Sequence, residues 1–146
     1  MTPHWLELAG HLHPVVIHFP IALMLVACLC EALHLVTRKR FFHSAAELNL
    51  ALAILGTIVA IALGWILAAT THDISADVRW IVPWHRWLGV AALVTSVGAF
   101  VALHLSRLHS RVWIWLYWGL LVLSGALIGL TGHLGGELVY GSDYLS

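Results

Sequence analysis

The segment His11-Leu12-His13-Pro14-Val15-Val16-Ile17-His18-Phe19-Pro20 opens an apolar run that continues to about Val36. About 20 helical residues cross a hydrocarbon core of about 30 Å, so this run is long enough to span a membrane. Three further runs of that kind follow, roughly 45–69, 84–105 and 112–132, against 14–36 for the first. The connections between them are short, so neighbouring spans run antiparallel. The expected fold is all-α, a four-helix transmembrane bundle forming a single membrane domain over residues 1–146.

Composition agrees. The 146 residues are 61% hydrophobic and 10% charged, whereas a soluble domain carries about a quarter charged residues. The N-terminus lacks a basic region and the first apolar run is too long for a leader, so the first span is expected to remain as an anchor. Basic residues are retained on the cytoplasmic side. Arg38, Lys39 and Arg40 fall between the first two spans, and Arg107 and Arg111 between the last two; Arg79 and Arg86 share the other side with Glu7, Asp73, Asp77, Glu137 and Asp143. Both termini are therefore expected outside, in the periplasm of a Gram-negative host. Indoles favour the membrane interface, and Trp5, Trp65, Trp80, Trp84 and Trp87 collect at the outer rim while Trp113, Trp115 and Trp118 collect at the inner one. Cys28 and Cys30 lie two residues apart in one span, unsuited to bridging each other, and read as packing residues.

Residues 1–12 read as a short outer segment. Pro14 suits the first turn of a helix, whereas Pro20 removes the hydrogen bond to the Val16 carbonyl and should kink the helix there. That kink has two readings, an ordinary proline bend or a device that aims His18 at the bundle interior. Ser44-Ala45-Ala46-Glu47 has the capping-box spacing and is expected to open the second span. Gly56, Ala60 and Gly64, and again Gly125 and Gly129, recur every four residues as stripes for close helix packing. The loop 70–83 is the longest connection, and the glycines of Gly132-His133-Leu134-Gly135-Gly136 are expected to end the last helix. The sequence shows no long repeat.

Eleven histidines are a heavy load for so apolar a chain. His34, His43, His104 and His109 fall near the inner interface, and His4, His11 and His72 outside the hydrocarbon, where solvation accounts for them. His18, His85 and His133 each lie within a turn or so of the outer end of a different span, and ionisable groups inside a membrane usually face the bundle interior. His13 joins them at the rim, about 7 Å above His18 by helical rise. One turn deeper lie Ala22, Gly89 and Gly129, so each imidazole stands above a gap.

Imidazoles from separate helices over such gaps suit a flat macrocycle held edge-on. The expectation is a b-type haem, bound without a Cys-x-x-Cys-His motif, with its propionates near Arg86, Trp84 and Trp87. His18 with His85 is the foremost axial pair, with His133 or His13 as alternative ligands; one haem is expected, and the ligand count allows two. A bare Cu, Zn or Fe ion held by the same histidines with Glu137 is the second reading, and packing glycines with interfacial histidines is the third. No serine or cysteine is paired with a base, and there is no phosphate loop or nucleic-acid patch.

His13-Pro14-Val15-Val16-Ile17-His18-Phe19-Pro20-Ile21-Ala22-Leu23, taken with Gly132-His133-Leu134-Gly135-Gly136-Glu137-Leu138-Val139-Tyr140, resembles the domain-of-unknown-function family 2231, small bacterial four-span membrane proteins. The Gly64 to Asp73 region is similar to the same family. The resemblance implies a bacterial inner-membrane protein whose relatives sometimes accompany cytochrome c modules, and it singles out His13, His18, His133, Gly135 and Gly136. Relatives often continue with a further His-Gly, where this chain has Gly141-Ser142-Asp143-Tyr144-Leu145-Ser146. The function expected is electron transfer between a membrane donor such as quinol and a periplasmic acceptor such as a cytochrome c or a redox enzyme. An anchor subunit without a cofactor, or a metal-binding or transport protein, are the alternatives. The expected partners are the bilayer, a quinone, the periplasmic acceptor and further copies of the chain.

Overall fold

A computed structural model describes residues 3–71 and 76–141. His72, Asp73 and Asp143 lie outside the described residues. The described chain holds six helices: α1 His4–His11, α2 His13–Val16, α3 His18–Thr37, α4 Arg40–Thr70, α5 Ile81–Ser106 and α6 Val112–Tyr140. The first three follow one another as a single interrupted rod, so four helical rods are long and apolar enough to cross a membrane.

The interruptions have a sequence cause. Pro14 sits at the start of α2 and Pro20 in the first turn of α3, positions where a missing N–H costs least. Pro20 itself is buried, its ring against Gly56 of α4, where an added Cβ would stand 3.2 Å from the proline Cδ.

Several helix ends differ from the sequence-based expectation. Within the expected short outer segment, residues 4–11 form a helix packed on α4, and Gly10 admits the Leu67 backbone. Helix α4 begins at Arg40, with no side-chain cap, so Ser44 and Glu47 lie inside it; Glu47 instead meets Arg107 at 2.6 Å. The glycines at 132, 135 and 136 do not end α6, which runs on to Tyr140 and stops at Gly141 with φ 92°. In a bilayer a broken helix would expose unpaired backbone groups, so the helix persists through glycines that would weaken it in water.

The four rods form two hairpins, α3 with α4 and α5 with α6, joined by α4 against α5 and α3 against α6. The first hairpin turns on Arg38 and Lys39 alone, with Arg38 left-handed at φ 59° and its N–H bonded to the His34 carbonyl.

The hairpins share one burial register, which the sequence did not reveal. Buried Pro20, Met24, Ala27 and Glu31 of α3 recur 72 positions on as buried Ala92, Ser96, Ala99 and Leu103 of α5. Buried Ala46, Leu50, Ala53 and Thr57 of α4 recur 71 positions on as buried Tyr117, Leu121, Ser124 and Ile128 of α6. The bundle is thus two copies of one hairpin related by an approximate two-fold axis along its length.

At the basic end the copies diverge. Glu31, 3% exposed, accepts hydrogen bonds from His43 Nδ1 (2.9 Å), Tyr117 Oη (3.1 Å) and Trp118 Nε1 (2.9 Å), tying α3, α4 and α6 together. The equivalent position in the second hairpin is the apolar Leu103.

Candidate histidine site

At the opposite end, the two hairpins present the same constellation to each other. His13, the first residue of α2, sends Nδ1 to the Ala60 carbonyl of α4 at 2.8 Å. His85, in the second turn of α5, sends Nδ1 to the Thr131 carbonyl of α6 at 3.0 Å. A carbonyl only accepts, so Nδ1 carries the proton in both rings and each Nε2 keeps a free lone pair. This is the arrangement by which proteins fix the tautomer and orientation of metal-binding histidines.

Each ring also has a glycine seat one turn beyond its carbonyl. A Cβ at Gly64 would stand 2.9 Å from His13 Cε1, and one at Gly135 would stand 3.1 Å from His85 Cε1. Both imidazoles therefore lie where any larger residue would displace them. Ala60 and Thr131, like Gly64 and Gly135, are 71 positions apart, so the seats obey the register of the whole fold.

The ring centroids lie 6.2 Å apart with planes at 89°. A metal–imidazole bond of about 2.0–2.1 Å, with roughly 1.1 Å from nitrogen to ring centre, gives about 6.2–6.4 Å for two rings on opposite sides of one centre and about 4.4–4.5 Å for adjacent ones. The observed spacing matches the opposed arrangement.

Both imidazoles line an open cavity of about 270 Å³, whose walls include Gly64, Gly89, Ala92, Gly132 and Gly135. Arg86 stands at its edge, its guanidinium 5.8 Å from the centre of the Trp65 ring, a cation–π contact bridging the hairpins. Trp65, Trp84 and Trp87 are exposed at the same end, as an interfacial belt would be.

Of the residues singled out from sequence, His13, His85, Arg86 and Gly89 line this cavity. His18, Ala22, His133 and Gly129 are exposed and do not. The structure does not bring His18 to His85: five helical residues turn a side chain by about 140°, so with His13 facing in, His18 faces out. His133 Nε2 lies 3.1 Å from Glu137 on its own helix. The Ala60 and Thr131 carbonyls and the seating role of the glycines escaped sequence reasoning; the recurrence of a glycine at 64 and 135 was the available signal.

The fold and site define a four-span helical membrane protein with paired imidazoles presented across the seam between two hairpins. Within that class the chain belongs to the DUF2231 family, described as a predicted membrane protein, whose profile matches residues 10–144. No curated protein and no solved structure matches it.

Proposed function

We propose that the protein is a membrane b-type cytochrome that passes electrons between a membrane donor such as quinol and an acceptor at the histidine end. The observation that carries this reading is the His13–His85 pair, two imidazoles 6.2 Å apart with both Nδ1 atoms anchored on backbone carbonyls. A haem supplies four equatorial nitrogens and takes one or two axial ligands from the protein, two in low-spin electron-transfer centres. Zinc asks for three or four protein ligands, and among the described residues no group of three His, Cys, Asp or Glu is placed to hold a metal. The donor set thus favours haem over a zinc ion.

The residues present fit the group. His13 and His85 would hold the iron, the Ala60 and Thr131 carbonyls would keep both rings turned toward it, and Arg86 would meet a propionate at the cavity edge. The cavity, about 270 Å³, falls just below the roughly 300–1,000 Å³ usual for ligand sites. It is open at the seam between the hairpins. Such a group, held by His13 and His85, would supply one-electron chemistry. The basic residues at the opposite end favour a periplasmic orientation of the site in a bacterial inner membrane, which suits a cytochrome c or an anchored redox enzyme as acceptor.

A reduced-minus-oxidised absorption spectrum of the purified protein, with metal analysis of the same sample, tests the reading. Sharp haem b bands at one haem per chain are expected. A colourless protein carrying stoichiometric copper or zinc, or no metal, would overturn it.

A further inference from the structure

Resting on the haem reading, we infer that the two hairpins offer the macrocycle two equivalent seats, standing it upright on the two-fold axis with its axial imidazole planes crossed at right angles. Gly64 and Gly135, with the Ala60 and Thr131 carbonyls, are the positioning residues that set this geometry.

His13 and His85 occupy matching places, both anchored by Nδ1 on a carbonyl of their own hairpin's second rod and both packed on the glycine four residues further along. A two-fold axis along the bundle relates one ring to the other. The line joining two rings so related crosses the bundle perpendicular to that axis, and a macrocycle normal to this line contains the axis. Its plane therefore stands along the membrane normal, with one hairpin on each face.

The same symmetry fixes the ring planes. For two rings aimed at a common centre, the two-fold operation turns a ring tilted to one side of the axis into one tilted equally to the other. The angle between the planes is then twice the tilt, and the 89° observed corresponds to each ring lying about 45° from the axis. The tilt of each ring is held by its carbonyl at Nδ1 and by its glycine against the adjoining Cε1. A Cβ at either glycine would press on Cε1, the ring carbon beside Nε2.

Crossed imidazoles have an electronic signature. Each axial imidazole donates π density to the iron d orbital perpendicular to its own plane, so parallel rings split the dπ pair, whereas crossed rings load both orbitals alike. A near-degenerate pair gives a strongly anisotropic low-spin ferric spectrum with one dominant low-field feature. Parallel rings give three resolved rhombic features instead.

Electron paramagnetic resonance of the oxidised, full-length protein tests this in frozen solution and in oriented membrane layers. The wild type is expected to show the single low-field feature, strongest when the field lies in the membrane plane, because that feature marks the macrocycle normal. Gly64→Ala and Gly135→Ala should each move the signal toward the rhombic form while the haem is retained. A rhombic wild-type spectrum, or a low-field feature strongest along the membrane normal, would overturn the two-seat inference and leave the haem reading standing. A protein without a haem signal would sink the haem reading itself. The wild-type measurement decides the matter even where a glycine variant fails to fold.

Discussion

Replacing Glu31 probes the one buried carboxylate of the basic end, and the fold supplies its own control. Oε2 accepts from His43 and Tyr117, and Oε1 accepts from Trp118. In Glu31→Gln one oxygen becomes an NH₂ group, which cannot accept. The amide fits best with its oxygen in the place of Oε2, keeping two donors and facing Trp118 Nε1 with a second donor. One hydrogen bond to a charged group is lost, about 1.5–3 kcal/mol. Glu31→Leu leaves all three donors without an acceptor, and its cost should approach the roughly 3–5 kcal/mol seen when one partner of a buried charged pair is removed. Yet Leu103 fills the equivalent slot of the second hairpin, where Ala46 holds the position that answers to Tyr117. Adding Tyr117→Phe to Glu31→Leu should therefore recover part of the loss. Reversible unfolding in mixed micelles, arranged as a double-mutant cycle, gives each term. A Glu31→Leu protein within about 0.5 kcal/mol of wild type, inside the range of an ordinary surface substitution, would refute the reasoning.

Three further outcomes follow from the same contacts. Gly64→Ala should destabilise more than Gly135→Ala, because its Cβ would stand 2.9 Å from an imidazole carbon rather than 3.1 Å; overpacking of about 1–3 kcal/mol is expected for the first, read by thermal unfolding in detergent. Gly10→Ala should release the N-terminal helix, since its Cβ would meet the Leu67 backbone at 2.9 Å; limited proteolysis should then cut before residue 13 while α4 stays intact. Trp65→Ala should cost only about 0.5–1 kcal/mol, as the Arg86 contact is exposed to solvent.

The spans were legible because apolar runs of that length have few alternatives, and the short loops forced the antiparallel order. Their ends were not. Gly132, Gly135 and Gly136 read as a helix stop by the rules of aqueous proteins, yet α6 carries them inside the helix and uses Gly135 as an imidazole seat. The site was half legible: His13 and His85 stood among the candidates, but which ring faces inward depends on helical phase. His13 and His18 point about 140° apart, and only the contact with Ala60 settles which of them meets His85. The repeat was hidden because matching positions conserve burial more than identity. Met24 answers to Ser96, Glu31 to Leu103 and Ala46 to Tyr117, while His13 with His85 and Gly64 with Gly135 keep the same residue.

The proposed joint hold of His13 and His85 on one iron is tested most directly by the haem-to-protein ratio of purified wild type and of His13→Ala, His85→Ala and His18→Ala. One haem per chain is expected in the wild type and in His18→Ala, with loss in both of the other variants. Retention in His13→Ala together with loss in His18→Ala would contradict the paired-seat site.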